Sequence, residues 1–202
     1  MTQLKKSESM LCLMAEVESA DKTMENKLFY SDKKTLDSES IEDWLVSAEY
    51  CFDKWKSQTE NISVFLKTAV TAWYALTLDG VDLSLTKSEC ERLGLILCDT
   101  YSYFTAILTN DVNCQWLFGY MMTVRPDLFL DSGEKYSRLE CEGERLIEQA
   151  SESGNVFARL LSAVNHGRKK EIKQCREAVR ACIFDFFDPT REVDSYFIEV
   201  LT

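Results

Sequence analysis

Few residues in this chain are suited to nucleophilic, acid–base or metal chemistry. His166 is the single histidine, which restricts general acid–base catalysis and histidine-ligated metals. The eight cysteines, at positions 12, 51, 90, 98, 114, 141, 175 and 182, form no C-x-x-C pair. The tightest spacings, 90/98 and 175/182, are two turns of a helix, too wide for a zinc knuckle or a redox motif. The apolar neighbours of most of these cysteines point to reduced thiols that fill a core, with four disulfides in a secreted chain as the alternative. A di-iron bundle needs Glu-x-x-His, and Ala163 stands three residues before His166. His166 precedes Gly167, where a helix is expected to end, so its expected task is to complement the helix dipole; a Cys–His dyad is the competing reading. Carboxylate pairs such as Glu140/Glu144 and Glu144/Glu148 are one helical turn apart, but among 34 acids such pairs arise by chance. Neither a P-loop, a G-x-G-x-x-G nor a G-x-S-x-G occurs. The reading is a non-enzyme with no catalytic residues, no metal and no cofactor.

The elements that must carry these residues read as helices. The chain has 202 residues, 46% of them hydrophobic, with only 7 Gly and 2 Pro. Disorder, collagen and turn-rich β architectures are poor fits to that composition. Six residues, 10–15, form the apolar stretch behind Lys5 and Lys6, too short for a secretory signal, and no window reaches the length of a membrane span. A soluble, cytoplasmic protein is expected.

Ser40 precedes a helical stripe Ile41, Trp44, Leu45, Ala48, Cys51, Phe52, Trp55 that runs to about Ser57. Asn61 caps a second helix that stops at Gly80, and Thr86-Lys-Ser-Glu89 has the form of a capping box for a third helix ending near Asn110. A fourth starts at Asp111 and ends before Pro126. After a turn at 131–133, the next helix runs from about Glu134 to Ser153 with Leu139, Gly143, Leu146, Ile147 and Ala150 inward. Asn155 caps a short helix closed by Gly167, and the following one, Lys169 to Phe187, is expected to bury Ile172, Cys175, Val179, Cys182, Ile183 and Phe186. A last amphipathic piece carries Val193, Phe197, Val200 and Leu201. Residues 3–28 are periodic enough for a helix, and 31–40 are polar. The expectation is a single all-α domain over 1–202, built of antiparallel helical hairpins stacked as an irregular bundle or a short α-solenoid, with 1–38 peripheral or partly disordered. No repeat of fixed period is present.

The formal charge is −11, a poor match to nucleic acid. Residues 61–131 are sparse in cations, with only Lys67, Lys87, Arg92 and Arg125. Asp79, Asp82, Glu89, Asp99 and Asp111 are therefore largely unneutralised by sequence neighbours and would attract a cationic partner surface; an acidic surface that merely keeps the chain in solution is the other reading. Tyr101, with Tyr74 and Tyr103 beside it, is the nearest aromatic candidate. Against this trend, Arg159 to Arg180 holds seven basic residues and two acids, with Lys169, Lys173, Arg176 and Arg180 on one face. With no aromatic interleaved among them, a solvated helix face is expected, and neither nucleic acid nor membrane is expected as a partner.

Trp116-x-x-Gly119-Tyr120, Arg125-Pro126-Asp-Leu-Phe129, Glu142-Gly143-Glu-Arg-Leu146-Ile-Glu-Gln-Ala150 and Gly154-Asn155 together resemble small all-helical bacterial immunity proteins. These are built of tetratricopeptide-like helix pairs and accompany polymorphic or contact-dependent growth inhibition toxins. The resemblance covers about 40 of the residues, and Gly154-Asn155 stands where a helix-ending proline is usual. It implies structural roles: Gly119 and Gly143 at helix crossings, Pro126 as a break, Trp116 and Phe129 as packing. It also implies a cytosolic immunity protein that binds a cognate toxin domain, most readily a basic nuclease, by stoichiometric occlusion. A general helical scaffold or adaptor is the alternative. No toxin-contacting residue follows from the resemblance, so the acids above and Tyr101 are the candidate contacts.

Overall fold

A computed structural model describes residues 27–29, 44–129 and 135–202. The expected helix over 3–28 (but for its last two residues), the Ser40 start and the turn at 131–133 lie outside the described residues. The described residues form eight α-helices: α1 Trp44–Ser57, α2 Ile62–Leu78, α3 Lys87–Tyr103, α4 Val112–Val124, α5 Tyr136–Glu152, α6 Val156–Asn165, α7 Lys169–Phe186 and α8 Glu192–Leu201. The fold is all-α, and chain-adjacent helices pack in two runs, α1 to α3 and α4 to α7.

Local chemistry sets most of the boundaries. The Asn61 side chain accepts from the Val64 amide and that of Asp111 from the Cys114 amide, so each satisfies a donor that the first helical turn leaves without a partner. Thr86 and Glu89 form the full capping box at the start of α3. Asn155 accepts from both Phe157 and Ala158. Gly80, Gly154 and Gly167 follow α2, α5 and α6 with positive φ, the conformation that lets a helix end without a Cβ clash. The third helix does not continue as α to Asn110. It opens into a π turn, Phe104–Leu108, in which Phe104 stays buried and stacks on Phe118 at 4.4 Å while Thr105, Ala106 and Ile107 face solvent.

Two helices form the centre. Every residue from Val64 to Leu76 on α2 and from Cys114 to Met122 on α4 is buried. Large rings fill the space between them: Phe65 on Phe118 and Trp73 on Tyr120, with centroids 5.8 and 5.9 Å apart. On its other side α4 meets α5 at Gly119 and Gly143. A Cβ on either glycine would sit 2.7 Å from the other's carbonyl oxygen, so the two backbones touch there and neither position has room for alanine. The crossing implied for these two glycines is thus a single shared contact.

Helix α8 closes the molecule by packing on α2, α6 and α7. It buries Val193, Phe197 and Leu201, but Val200 is exposed, because the core meets the row through 193, 197 and 201 and 200 lies beyond its edge. On α7 only Cys175, Val179 and Ile183 are fully buried; Ile172, Cys182 and Phe186 flank that row and are half-buried. Residues 27–29 bind the same end: the Leu28 amide donates to Phe186 O, Ser63 Oγ donates to Lys27 O, and Phe29 packs against Phe187 and Phe197.

Candidate partner-binding surfaces

The seven described cysteines are free thiols. Cys51, Cys114 and Cys175 are buried, but Cys98 and Cys141 are exposed, so core filling accounts for only part of the set. Burial pushes the Cys114 thiol well above its ordinary value, which keeps it protonated. His166 ends α6, with its Nδ1 3.0 Å from Ser162 O and 3.4 Å from Glu148 Oε1. Among the described residues no group of three or more His, Cys, Asp or Glu side chains is placed to hold a metal ion.

The sequence candidates separate into three places. Asp79 and Asp82 lie in the loop between α2 and α3, with Glu89 in the first turn of α3. Asp79 Oδ1 accepts from the Leu85 amide at 3.0 Å, and its Oδ2 is 3.5 Å from Cys90 Sγ. Glu89 Oε2 accepts from the Thr86 amide and hydroxyl, and those two bonds hold its carboxyl below the usual range. Asp82 is exposed. Asp99 lies on the outer face of α3, paired with Lys56 of α1 at 3.1 Å. Asp111 is at the far end of the same helical layer, where it caps α4. Three of the five acids therefore carry a structural bond to a backbone amide, and one is neutralised.

The cations of residues 61–131 are also accounted for. Lys67 is buried in the centre of α2. Lys87 pairs with Glu91, Arg92 with Glu49 and Arg125 with Asp127. The edge that remains, from the 79–85 loop along the outer face of α3, presents Val81 (78% exposed) and Leu95 (61% exposed) among Asp79, Asp82, Glu89, Glu91 and Asp99.

The tyrosines serve mainly as packing. Tyr74 is buried with its hydroxyl 3.4 Å from Glu192, and burial raises its pKa well above the ordinary value. Tyr103 packs on Trp55 and Phe65 and donates to Thr59 O. Tyr101 is half-buried against Phe118 and Phe129 and also lines a groove of about 530 Å³ between the C-terminal end of α3 and α5. Thr105, Arg138, Leu139, Cys141, Glu142 and Arg145 complete that groove. Arg145 holds Glu142 through two bonds, which lowers the Glu142 carboxyl. The α5 side of the groove escaped sequence reasoning, although Arg138, Glu142 and Arg145 at i, i+4 and i+7 share one helical face. Phe184, 58% exposed on α7, was also missed: it falls outside the inward row expected for that helix, and an isolated exposed ring carries no signal in sequence.

Comparison of the chain with protein-family models, with curated proteins and with solved structures gives no match.

Proposed function

We propose that this protein is an immunity-type inhibitor that binds a basic toxin domain, most readily a nuclease, in a stoichiometric complex in the cytoplasm. One observation carries the reading: the α2–α3 edge sets exposed Val81 and Leu95 among five acids while the cations of that region are buried or ion-paired. An apolar centre with a polar rim is the usual anatomy of a protein interface, and an excess of acids steers a cationic partner onto it. No chemical step is asked of the protein. The resemblance of the 116–155 region to immunity proteins supports the same reading.

The test is recovery of bound proteins on the full-length chain at low and at moderate salt, followed by an inhibition assay with the recovered domain. The reading expects one basic toxin domain, lost as salt rises, whose activity falls to zero at a one-to-one ratio. Replacement of Val81 and Leu95 by Asp should abolish inhibition while the helix content stays unchanged. Recovery of a toxin that remains active in the complex defeats it. A second reading, a helical adaptor, draws on the groove between α3 and α5, whose Tyr101 and Leu139 walls and arginine rim suit a peptide segment. Several unrelated partners, each weakened by Thr105→Asp at the exposed edge of the groove, would favour it.

A further inference from the structure

The outer edge of α7 carries a row of cations, most of which form no ion pair among the described residues. Lys169, Lys173, Arg176 and Arg180 are exposed at successive turns, and exposed Phe184 continues the same row one turn later. At 1.5 Å per residue the row spans about 22 Å. Lys170 is exposed nearby, and Arg159 of α6 shares a shallow cleft with Gln174 and Ala178 of α7. Among the described residues no ion pair involves Lys169, Lys170, Lys173 or Arg176. Glu177 lies within the row, Glu171 is paired with Arg168, and Arg180 donates to Thr202 O. In a chain of net charge −11, four cations gathered on one helix with a single acid in their row, and with no ion pair of their own among the described residues, are a concentrated positive charge.

We propose that this edge docks peripherally on an anionic phospholipid surface. The row follows one side of α7 beside a shallow open depression that Ile172 and Glu177 also line, and among the described residues α6, α8 and 27–29 pack on other parts of that helix, so its long, flexible side chains can meet a sheet of headgroup phosphates together. Phe184 is placed to enter the headgroup layer beside them, as aromatic residues at membrane interfaces do. This supplies the aromatic whose absence from 159–180 argued against a membrane partner. Attachment is superficial, since no helix among the described residues is long and apolar enough to cross a membrane. The apolar face of α7 is already committed to the core, so insertion of the helix is excluded. Exposed Phe184 beside the cations favours a lipid surface over a nucleic-acid duplex, which lysines and arginines also grip, so the duplex is one arm of the test. The inference is independent of the toxin-binding reading, because it concerns a different face and a different ligand.

The experiment is co-sedimentation of the full-length protein with vesicles of phosphatidylcholine and phosphatidylglycerol in a three-to-two ratio, or of phosphatidylcholine alone, at about 50 mM salt, where the charges are least screened. Binding is expected only to the anionic vesicles and is lost at about 300 mM salt. The triple variant Lys169→Glu, Lys173→Glu, Arg176→Glu should lose more than about tenfold in binding, and Phe184→Ala about threefold. Lys135→Glu, an exposed cation away from the row, should bind as the native chain does. All of these positions are exposed, and circular dichroism verifies that each variant keeps its helices. The proposal is overturned if anionic vesicles do not retain the protein, if neutral ones retain it equally, if the triple variant binds undiminished, or if a short DNA duplex retains it as tightly as the vesicles.

Discussion

The acids of the α2–α3–α4 region and the cations of α7 are opposite in sign, and they also differ in employment. Asp79 ties the loop before α3, Glu89 completes a capping box, Asp111 caps α4 and Asp99 meets Lys56. Each would be retained by a fold with no partner at all. Lys169, Lys170, Lys173 and Arg176 form no ion pair among the described residues and cap no helix. A charge that holds a backbone amide is weak evidence of a binding face, whereas a cluster of like charges that form no ion pair among the described residues, with Glu177 alone in their row, is better evidence, because its mutual repulsion is only partly offset there. The acidic edge thus owes its functional interest to Val81 and Leu95, not to the number of its carboxylates.

Perturbing each region should separate charges built into the fold from charges carried on it. The upper scale comes from the core: Gly143→Ala forces a Cβ onto Gly119 O, and a loss of about 1–3 kcal/mol in urea denaturation is expected. Asp111→Ala removes a half-buried cap and should cost about 1–2 kcal/mol, with Thr86→Ala near 1 kcal/mol. Acid should weaken carboxylate bonds on α3, after α4 and on α5. The folded-state pKa values of Glu89, Asp127 and Glu142 are depressed, chiefly by their bonds to Thr86, Arg125 and Arg145. Their contribution is fully present above the unfolded carboxylate pKa of about 4 and disappears as pH falls through the lower folded values. Glu142→Gln should therefore flatten the stability–pH profile measured between about pH 5 and pH 2. At the bottom of the scale, Lys169→Glu, Lys173→Glu and Arg176→Glu should each change stability by less than about 0.5 kcal/mol. A stability loss on α7 as large as at Asp111 would erase the contrast.

Much of the helical skeleton was legible because its signals are local. Asn61, Thr86 with Glu89, Asp111 and Asn155 each bond amides two or three residues away, so the bond is already implied by the spacing. Gly119 and Gly143 were also legible as crossings, through resemblance, although nothing local says that they meet each other. The candidate site was less so. The sequence marks Asp79, Glu89 and Asp111 as charged but does not show that their oxygens are occupied, and it counts Lys67 as a surface cation although α2 buries it. The groove beside Tyr101 joins α3 to α5 across more than thirty residues of chain.

Composition and helical periodicity alone therefore determine an acidic all-α chain with its helices placed to within a few residues, because capping, proline breaks and apolar stripes act over one or two turns. Which rows of those helices face inward is decided only when the helices pack. Val200 and Phe184 are exposed, and Lys67 is buried, because α8, α7 and α2 each present a face chosen by their neighbours. Burial depends on contacts between residues distant in sequence, and the surfaces that remain for a partner are what that packing leaves uncovered.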